Sequence, residues 1–329
     1  SPRSNGFGGG RGFAEGNVLG QGQTVGFGVN TTASTRSYTC NCMEPAVLGR
    51  DRRAGSLMSY RTTERSNADF NSRVAIFQPS LRFPVGENSF LTVRGGYKSG
   101  EIFDVDEDSS IFLQREEDEG ERAAGFIGYS YSYDSRRTGL NPNAGIIFRF
   151  SQDFVGLGGD NSYIETTALV GAETRVLNEE VTLRATFEGG ALNMLSGDSL
   201  VVDRFRVGPS RLRGFESNGI GPRDLDAENE DALGGNFFAV ARLEAEFPLG
   251  LPEEYGVSGG VFYDTGSLWG LDDTDDGRID DDFRLRSAVG VSLFWDTGIG
   301  PLRFNFAEAL QQEDYDEDQF FDLTISTNF

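Results

Sequence analysis

FRVGPSRLRGFESNGIGPRD, residues 205–224, is too rich in glycine and proline to form a helix or a regular strand. Gly208, Gly214, Gly219 and Gly221 permit φ > 0, while Pro209 and Pro222 fix their own φ. Arg211, Arg213 and Arg223 lie within the stretch, and Phe215 adds a large apolar ring. The stretch belongs to a long connection between Leu195 and Gly234 in which only Ser199–Val207 reads as strand-like. Irregular connections of this length in a compact chain are either functional or disordered. Residues of fixed geometry beside specific side chains favour function.

On both sides of this connection the hydrophobic period is two. In Val181–Gly189 (VTLRATFEG), Val181, Leu183, Ala185 and Phe187 share one face and Thr182, Arg184, Thr186 and Glu188 the other. In Ala239–Phe247, Ala239, Ala241, Leu243, Ala245 and Phe247 oppose Arg242, Glu244 and Glu246. Ser287–Asp296 sets Val289, Val291, Leu293 and Trp295 against Ala288, Gly290, Ser292 and Asp296, with Phe294 as the exception. Phe321, Leu323, Ile325 and Phe329 alternate with Asp322, Thr324, Ser326 and Asn328 at the end of the chain. This reading places fifteen strands near 5–15, 22–33, 36–45, 54–64, 69–83, 88–101, 121–134, 143–153, 161–173, 179–192, 235–248, 255–267, 284–297, 301–311 and 317–329. No helix, second domain or linker is read, so residues 1–329 are expected to form one domain.

Alternation alone fits a soluble sandwich with apolar residues inside, or an outer-membrane barrel with apolar residues outside. The connections favour the barrel. One alternate set is short and turn-like: Gly16–Gln21, Pro84–Glu87, Thr174–Asn178, Leu249–Glu254 and Thr297–Gly300. The other holds the acidic loops: Phe103–Gly120, Asp224–Asp231, Ser267–Asp282 and Gln312–Asp318. Short turns on one side and long loops on the other are the outer-membrane pattern, with the excess acid expected in solvent.

Composition narrows the chemistry. The chain has 329 residues, and 29 Lys+Arg against 52 Asp+Glu give a formal charge of −23, which disfavours nucleic acid as a partner. No apolar run approaches the ~20 residues of a membrane-spanning helix. There is no histidine, and Lys98 is the sole lysine. A Ser-His-Asp triad and a histidine zinc site are therefore excluded, as is a lysine Schiff base anywhere but Lys98. Cys40 and Cys42 would point the same way on a strand, too far apart for an easy disulfide. They read as small apolar residues on one face rather than a metal site. Ser1 begins no signal peptide, which suggests a mature protein or a fragment. Gly6–Gly12 reads as strand and turn, since a nucleotide-binding loop needs a following helix.

Leu212-Arg213-Gly214-Phe215 followed by Ile220-Gly221-Pro222-Arg223-Asp224 resembles the sixth extracellular loop of the BamA family of outer-membrane assembly factors. The resemblance implies an all-β, transmembrane, antiparallel up-and-down barrel. It has 16 strands in the family, of which about 15 are read here, and a long sixth loop folded inward. It also implies a loop-lock motif, Leu212, Arg213, Gly214, Phe215, Ile220, Gly221 and Pro222, with Glu244, Phe262 and Asp264 as lumen-wall partners. A guanidinium suits that setting, because it bonds carboxylates in pairs and stacks on a ring. The C-terminal strand, carrying Phe321, Leu323, Ile325 and Phe329, would form one side of the family's seam. Its aromatic end is similar to the family's, although Ser326 stands where relatives often have glycine. Gly300–Phe306 is similar to the penultimate strand. Phe7–Gly22 looks like the second strand and its turn, which puts the first strand before Ser1 or the strand count off by one, and the family's periplasmic POTRA domains are missing from this chain.

By the same resemblance, the expected function is folding and insertion of β-barrel proteins in the outer membrane of a Gram-negative bacterium. Nascent outer-membrane proteins, accessory lipoproteins, outer-membrane lipid and lipopolysaccharide would be the partners, with no cofactor, metal or catalysis. A related two-partner secretion channel is the alternative; the IGPRD continuation and VFYDTG (Val261–Gly266) favour an assembly factor. A porin should carry a constriction loop without the arginine motif, and a carboxylate-pair hydrolase needs a positioned pair that the acidic loops do not reveal. Asp272–Asp280 superficially resembles a calcium loop, but position twelve is Phe283 rather than glutamate. A solvated acidic loop is the default there, with loose divalent-cation binding as the alternative.

Overall fold

The structure is a computed structural model that describes residues 24–31, 35–44, 53–63, 70–136, 144–159, 161–178, 180–227, 230–272, 274, 279–297 and 300–325. In chain order its elements are β1 (Thr24–Thr31), β2 (Thr35–Glu44), β3 (Arg53–Thr63), β4 (Asn71–Gly86), β5 (Ser89–Phe103), α1 (Ile111–Glu119), β6 (Arg122–Asp134), β7 (Ala144–Leu157), β8 (Ser162–Val176) and β9 (Val181–Ser196). They continue with β10 (Arg223–Asp224), β11 (Phe237–Pro248), β12 (Val257–Trp269), β13 (Ile279–Asp280), β14 (Arg286–Thr297), β15 (Gly300–Gln311) and β16 (Phe321–Ile325). Fourteen strands form one sheet in sequence order, always antiparallel, with β9 paired to β11 and β12 to β14 across the two short strands between them. β10 and β13, two residues each, pair with each other in a separate sheet, and Arg223 of β10 also bridges Ala232. This is the wall of an up-and-down transmembrane barrel. Among the described residues it runs from β1 at one edge to β16 at the other without closing. No described helix is long and apolar enough to cross a membrane, which says nothing of a barrel that crosses by strands.

Cross-strand register converts the period of two into two faces. Leu243 stands opposite Ala185 and Tyr263, and Tyr263 opposite Val289, which makes one outward row. Leu243 is 53% exposed, and Leu183, Val261, Val291 and Trp295 are likewise exposed, as lipid-facing residues should be. The adjoining inward row is Arg184, Glu244, Phe262, Gly290 and Ala307. Phe294, the exception to alternation, faces inward and carries the Arg303 guanidinium 4.9 Å above its ring. Cys40 and Cys42 are free thiols; Cys40 stands opposite the exposed Phe27 and Met58 on the outer face.

Fourteen of the fifteen expected strands are present at close to their expected limits; the strand at 5–15 lies outside the described residues. Three expectations need correction. Ser199–Val207 is not a strand: residues 201–203 turn, and only Phe205 makes an isolated bridge, to Gly235. The loop after β5 is not helix-free, because α1 runs through it. Ser110 caps its N-terminus by accepting from the Phe112 amide, Gly120 ends it, and Phe112, Leu113 and Glu116 are buried. The acidic loops are not wholly solvated either: Asp224, Asp231 and Glu116 are buried.

The interior divides by depth. Toward the long-loop end, Phe126, Val155, Tyr163, Leu192, Phe238, Val240 and Leu268 from the wall pack with Phe205, Val207, Leu212, Phe215 and Ile220 from the 197–236 connection. Nearer the short-turn end the inward residues include the charged Arg184, Glu244, Glu246 and Arg303 beside the polar Ser292 and Asn305. Phe237–Ala241 is apolar at every position for this reason, since one face meets lipid and the other meets the connection.

Candidate functional site

The connection between β9 and β11 folds into the barrel, and the register explains where its arginine lands. Glu244 on β11 lies directly opposite Phe262 on β12, and Asp264 follows two residues along the same inward face. Arg213 drops between them. Its Nε donates to Asp264 Oδ2 at 2.6 Å and its Nη2 to Asp264 Oδ1 at 2.6 Å, a two-pronged bond. Nη1 donates to Glu244 Oε2 at 2.6 Å, and the guanidinium carbon lies 3.6 Å from the centre of the Phe262 ring. The Arg213 backbone N–H also reaches Asp264 Oδ2, at 3.2 Å. Asp264 is 0% exposed and Arg213 6%. Each buried charge thus has a partner with directed hydrogen bonds, the condition under which burial of an ion pair is tolerated.

The glycines make this approach possible. Gly214 has φ +91°, and a Cβ there would meet the Ala288 Cβ at 2.8 Å. Gly290 leaves space for Phe262, whose Cζ would lie 2.4 Å from an added Cβ. Leu212 and Phe215 are fully buried and Ile220 nearly so, anchoring both halves of the motif. Pro222 accepts from the Leu233 amide at 3.0 Å, and Gly221 has φ +116°. Of the residues expected from the sequence, the structure brings Arg213 to Glu244, Phe262 and Asp264, places Leu212, Phe215 and Ile220 in the apolar interior, and sets Gly221 and Pro222 beside Leu268 and Leu233 instead of those wall partners. The strand residues Phe321, Leu323 and Ile325 lie on β16, paired with Phe306, Phe304 and Leu302 of β15. Phe329 lies outside the described residues.

Several participants have no local sequence signal. Glu244 is shared: Arg303 also bonds it, and Arg184 reaches it at 3.2 Å while holding Glu246 at 2.6 Å. Under the loop is a polar cavity of about 290 Å³ touched by Arg184, Arg213, Glu244, Arg303 and Thr324 of β16. Lys98 on β5 binds Asp203 of the loop at 2.6 Å and Tyr163 at 3.1 Å. Arg286 on β14 grips Asp316 with two bonds of 2.8 and 3.0 Å.

Helix α1 clasps the loop from outside. The Ser110 hydroxyl donates to Asp224 at 2.6 Å, its amide to Asp231 at 2.7 Å, and Glu116 binds Arg204 at 3.0 Å and the Val201 amide at 2.8 Å. Burial pushes the Glu116 carboxyl above the usual glutamate range, against the opposing pull of Arg204. Arg206, under the same cover, is brought down by burial to about 10. In the loop before β16, burial and then Asp280, opposed by Arg286, leave the Tyr315 phenol at about 12. Asp272–Asp280 falls partly outside the described residues. Asp272 accepts from the Ser199 amide at 3.1 Å, and Asp280 is engaged by Arg284 and Tyr315.

The Omp85 superfamily domain matches residues 17–329. The chain belongs to the Omp85 superfamily. Among Omp85 relatives, the outer membrane protein assembly factor BamA of Neorickettsia risticii (strain Illinois) is 28% identical over 93% of this chain and 41% of its own length. The chain thus spans about two fifths of that relative. The crystal structure of BamA from Haemophilus ducreyi lacking POTRA domains 1–3 has the same fold, with a TM-score of 0.80 at 20% identity, covering 93% of this chain and 64% of the other. CdiB from Acinetobacter baumannii superposes less well, with a TM-score of 0.58 at 13% identity over 92% of this chain and 53% of the other. As an Omp85 barrel resembling BamA, the protein is integral to the outer membrane of a Gram-negative bacterium.

Proposed function

We propose that this Omp85 barrel folds and inserts other β-barrel proteins into the outer membrane, using β16 as the edge on which an incoming strand pairs. Among the described residues β16 hydrogen-bonds on one side only, to β15. An edge strand in a membrane offers N–H and C=O groups that no solvent satisfies, so addition of a client strand is strongly favourable. The observation that carries the reading is the buried Arg213 clasp on Asp264 and Glu244, which fixes the lumen-filling loop against the wall segment leading to that edge. A fixed interior keeps the wall in one shape while its edge exchanges partners. Nascent outer-membrane proteins are the clients in this reading. Accessory lipoproteins, outer-membrane lipid and lipopolysaccharide are the surrounding partners, and neither cofactor nor catalytic group is required.

In cells depleted of the native full-length protein, Arg213→Glu should leave the variant present in the membrane while other barrel proteins fall several-fold. Full complementation at normal expression overturns the reading. A secretion channel would instead show conductance tied to one dedicated secreted partner, with no loss of other barrels.

A further inference from the structure

The loop that leads into β16, residues 312–320, is held at two places, one on the wall and one on the motif loop. On one side Arg286, 1% exposed, holds Asp316, and Asp316 also accepts from the Glu313 amide at 2.8 Å. Tyr315 receives a bond from Arg286 at 3.3 Å and gives one to Asp280 at 3.1 Å. On the other side the motif loop pairs with this segment through its backbone. The Glu216 amide donates to Glu317 O at 2.9 Å, the Glu317 amide to Gly219 O at 2.9 Å, and the Gln319 amide to Gly214 O at 2.9 Å. Phe215 and Asp318 form the corresponding bridge. Two residues after Gln319 the chain enters β16, and the Ala307 amide already donates to Phe320 O at 2.9 Å.

From this arrangement we propose that the 312–320 loop is a tether through which the motif loop sets the position of β16, and that Arg286 is a positioning residue for that edge. The chain is short and continuous. Arg213 anchors Gly214 to the wall, Gly214 binds Gln319, and Gln319 lies beside the first residue of the edge strand. Described pairing of β16 with β15 extends only from Phe306–Phe321 to Leu302–Ile325, although β15 itself runs to Gln311. The tether thus joins β16 at its start, where pairing with β15 also begins. The geometry stands by itself, and its consequence for clients rests on the proposed use of β16 as the pairing edge.

The test uses the full-length protein in lipid vesicles, with Cys40→Ser and Cys42→Ser, and spin labels at Val291→Cys on β14 and Leu323→Cys on β16. The parent should give one narrow distance distribution. Arg286→Gln, and separately Gln319→Pro, which removes the amide donor to Gly214, should each enlarge a displaced population by about tenfold or more, as expected when a buried charge-assisted bond is lost. Exchanging the pair, Arg286→Asp with Asp316→Arg, should restore the narrow distribution. Folding is checked by the mobility shift between unheated and heated gel samples; should Arg286→Gln fail it, Asp316→Asn and Gln319→Pro carry the test. An unchanged narrow distribution in folded Arg286→Gln or, where that variant does not fold, in folded Asp316→Asn and Gln319→Pro, overturns the proposal. A displaced β16 with normal insertion of client barrels upholds the tether and overturns the assigned role of the edge.

Discussion

A lysine at position 213 would keep the charge of Arg213 but offer one nitrogen where the site uses three, and it has no plane to lay on Phe262 at 3.6 Å. Arg213→Lys should therefore destabilise the barrel by about 1–3 kcal/mol, whereas Arg213→Ala, leaving Asp264 and Glu244 buried without their cation, should cost about 3–5 kcal/mol. Urea unfolding in lipid vesicles ranks the two. Gly214→Ala tests the backbone rather than the charge. At φ +91° with an alanine Cβ 2.8 Å away, a methyl group must displace the loop or the wall, at a cost of about 1–3 kcal/mol by the same assay. Arg213 and its wall partners were legible in the sequence because a motif and a resemblance name them. Arg286–Asp316 and Lys98–Asp203 were not. Each joins the wall to a distant loop, and neither spacing nor alternation specifies which loop turns inward.

At the level of elements, the strands were legible because a membrane wall must alternate, and glycine or proline clusters mark its turns. Helix α1 was hidden because its sequence, IFLQREEDE, reads as part of an acidic loop. Ser110 before it and Gly120 after it were the available signals. Its burial reverses the usual reading of such loops, since its acids serve as fasteners. Ser110→Ala removes the cap and the bond to Asp224 together, and should loosen α1 by about 1–2 kcal/mol, seen as faster protease cleavage between β5 and β6 in an otherwise intact barrel. Glu116 gives a pH dependence with a defined sign. Its carboxyl titrates above the ordinary range when docked, so the docked state binds its proton more tightly than the free loop does. Its contribution to docking is therefore fullest below the free glutamate pKa of about 4.3 and declines as pH rises through the raised value. The mobility of a spin label on α1 should increase over that interval, and Glu116→Gln should flatten the change.

Across the whole molecule the interior has two regimes, apolar with paired charges where the loop fills it and mainly polar below. Both follow from one requirement, that every inward group meets either packed side chains or a charged or hydrated partner. Apolar content alone thus misjudges which face of β11 is outside near Phe237–Ala241, and the Arg242, Glu244 and Glu246 series resolves it further along. The outward face has no such freedom, which supplies a test of the membrane orientation itself. Leu243, 53% exposed near the middle of β11, should meet hydrocarbon, so Leu243→Arg should cost about 2–4 kcal/mol in vesicles. Arg184 is on the neighbouring inward row, 38% exposed on its side chain and shared between Glu244 and Glu246. Arg184→Leu places the same pair of residue types on the opposite face. It should cost less, about 1 kcal/mol, because the polar cavity beneath the loop lets the two carboxylates regain partners in Arg303 or water. Unfolding free energies in vesicles should therefore differ between these reciprocal substitutions, with the leucine-to-arginine change the more damaging. The reverse order would mean that Leu243 does not face lipid and that the assignment of faces is inverted.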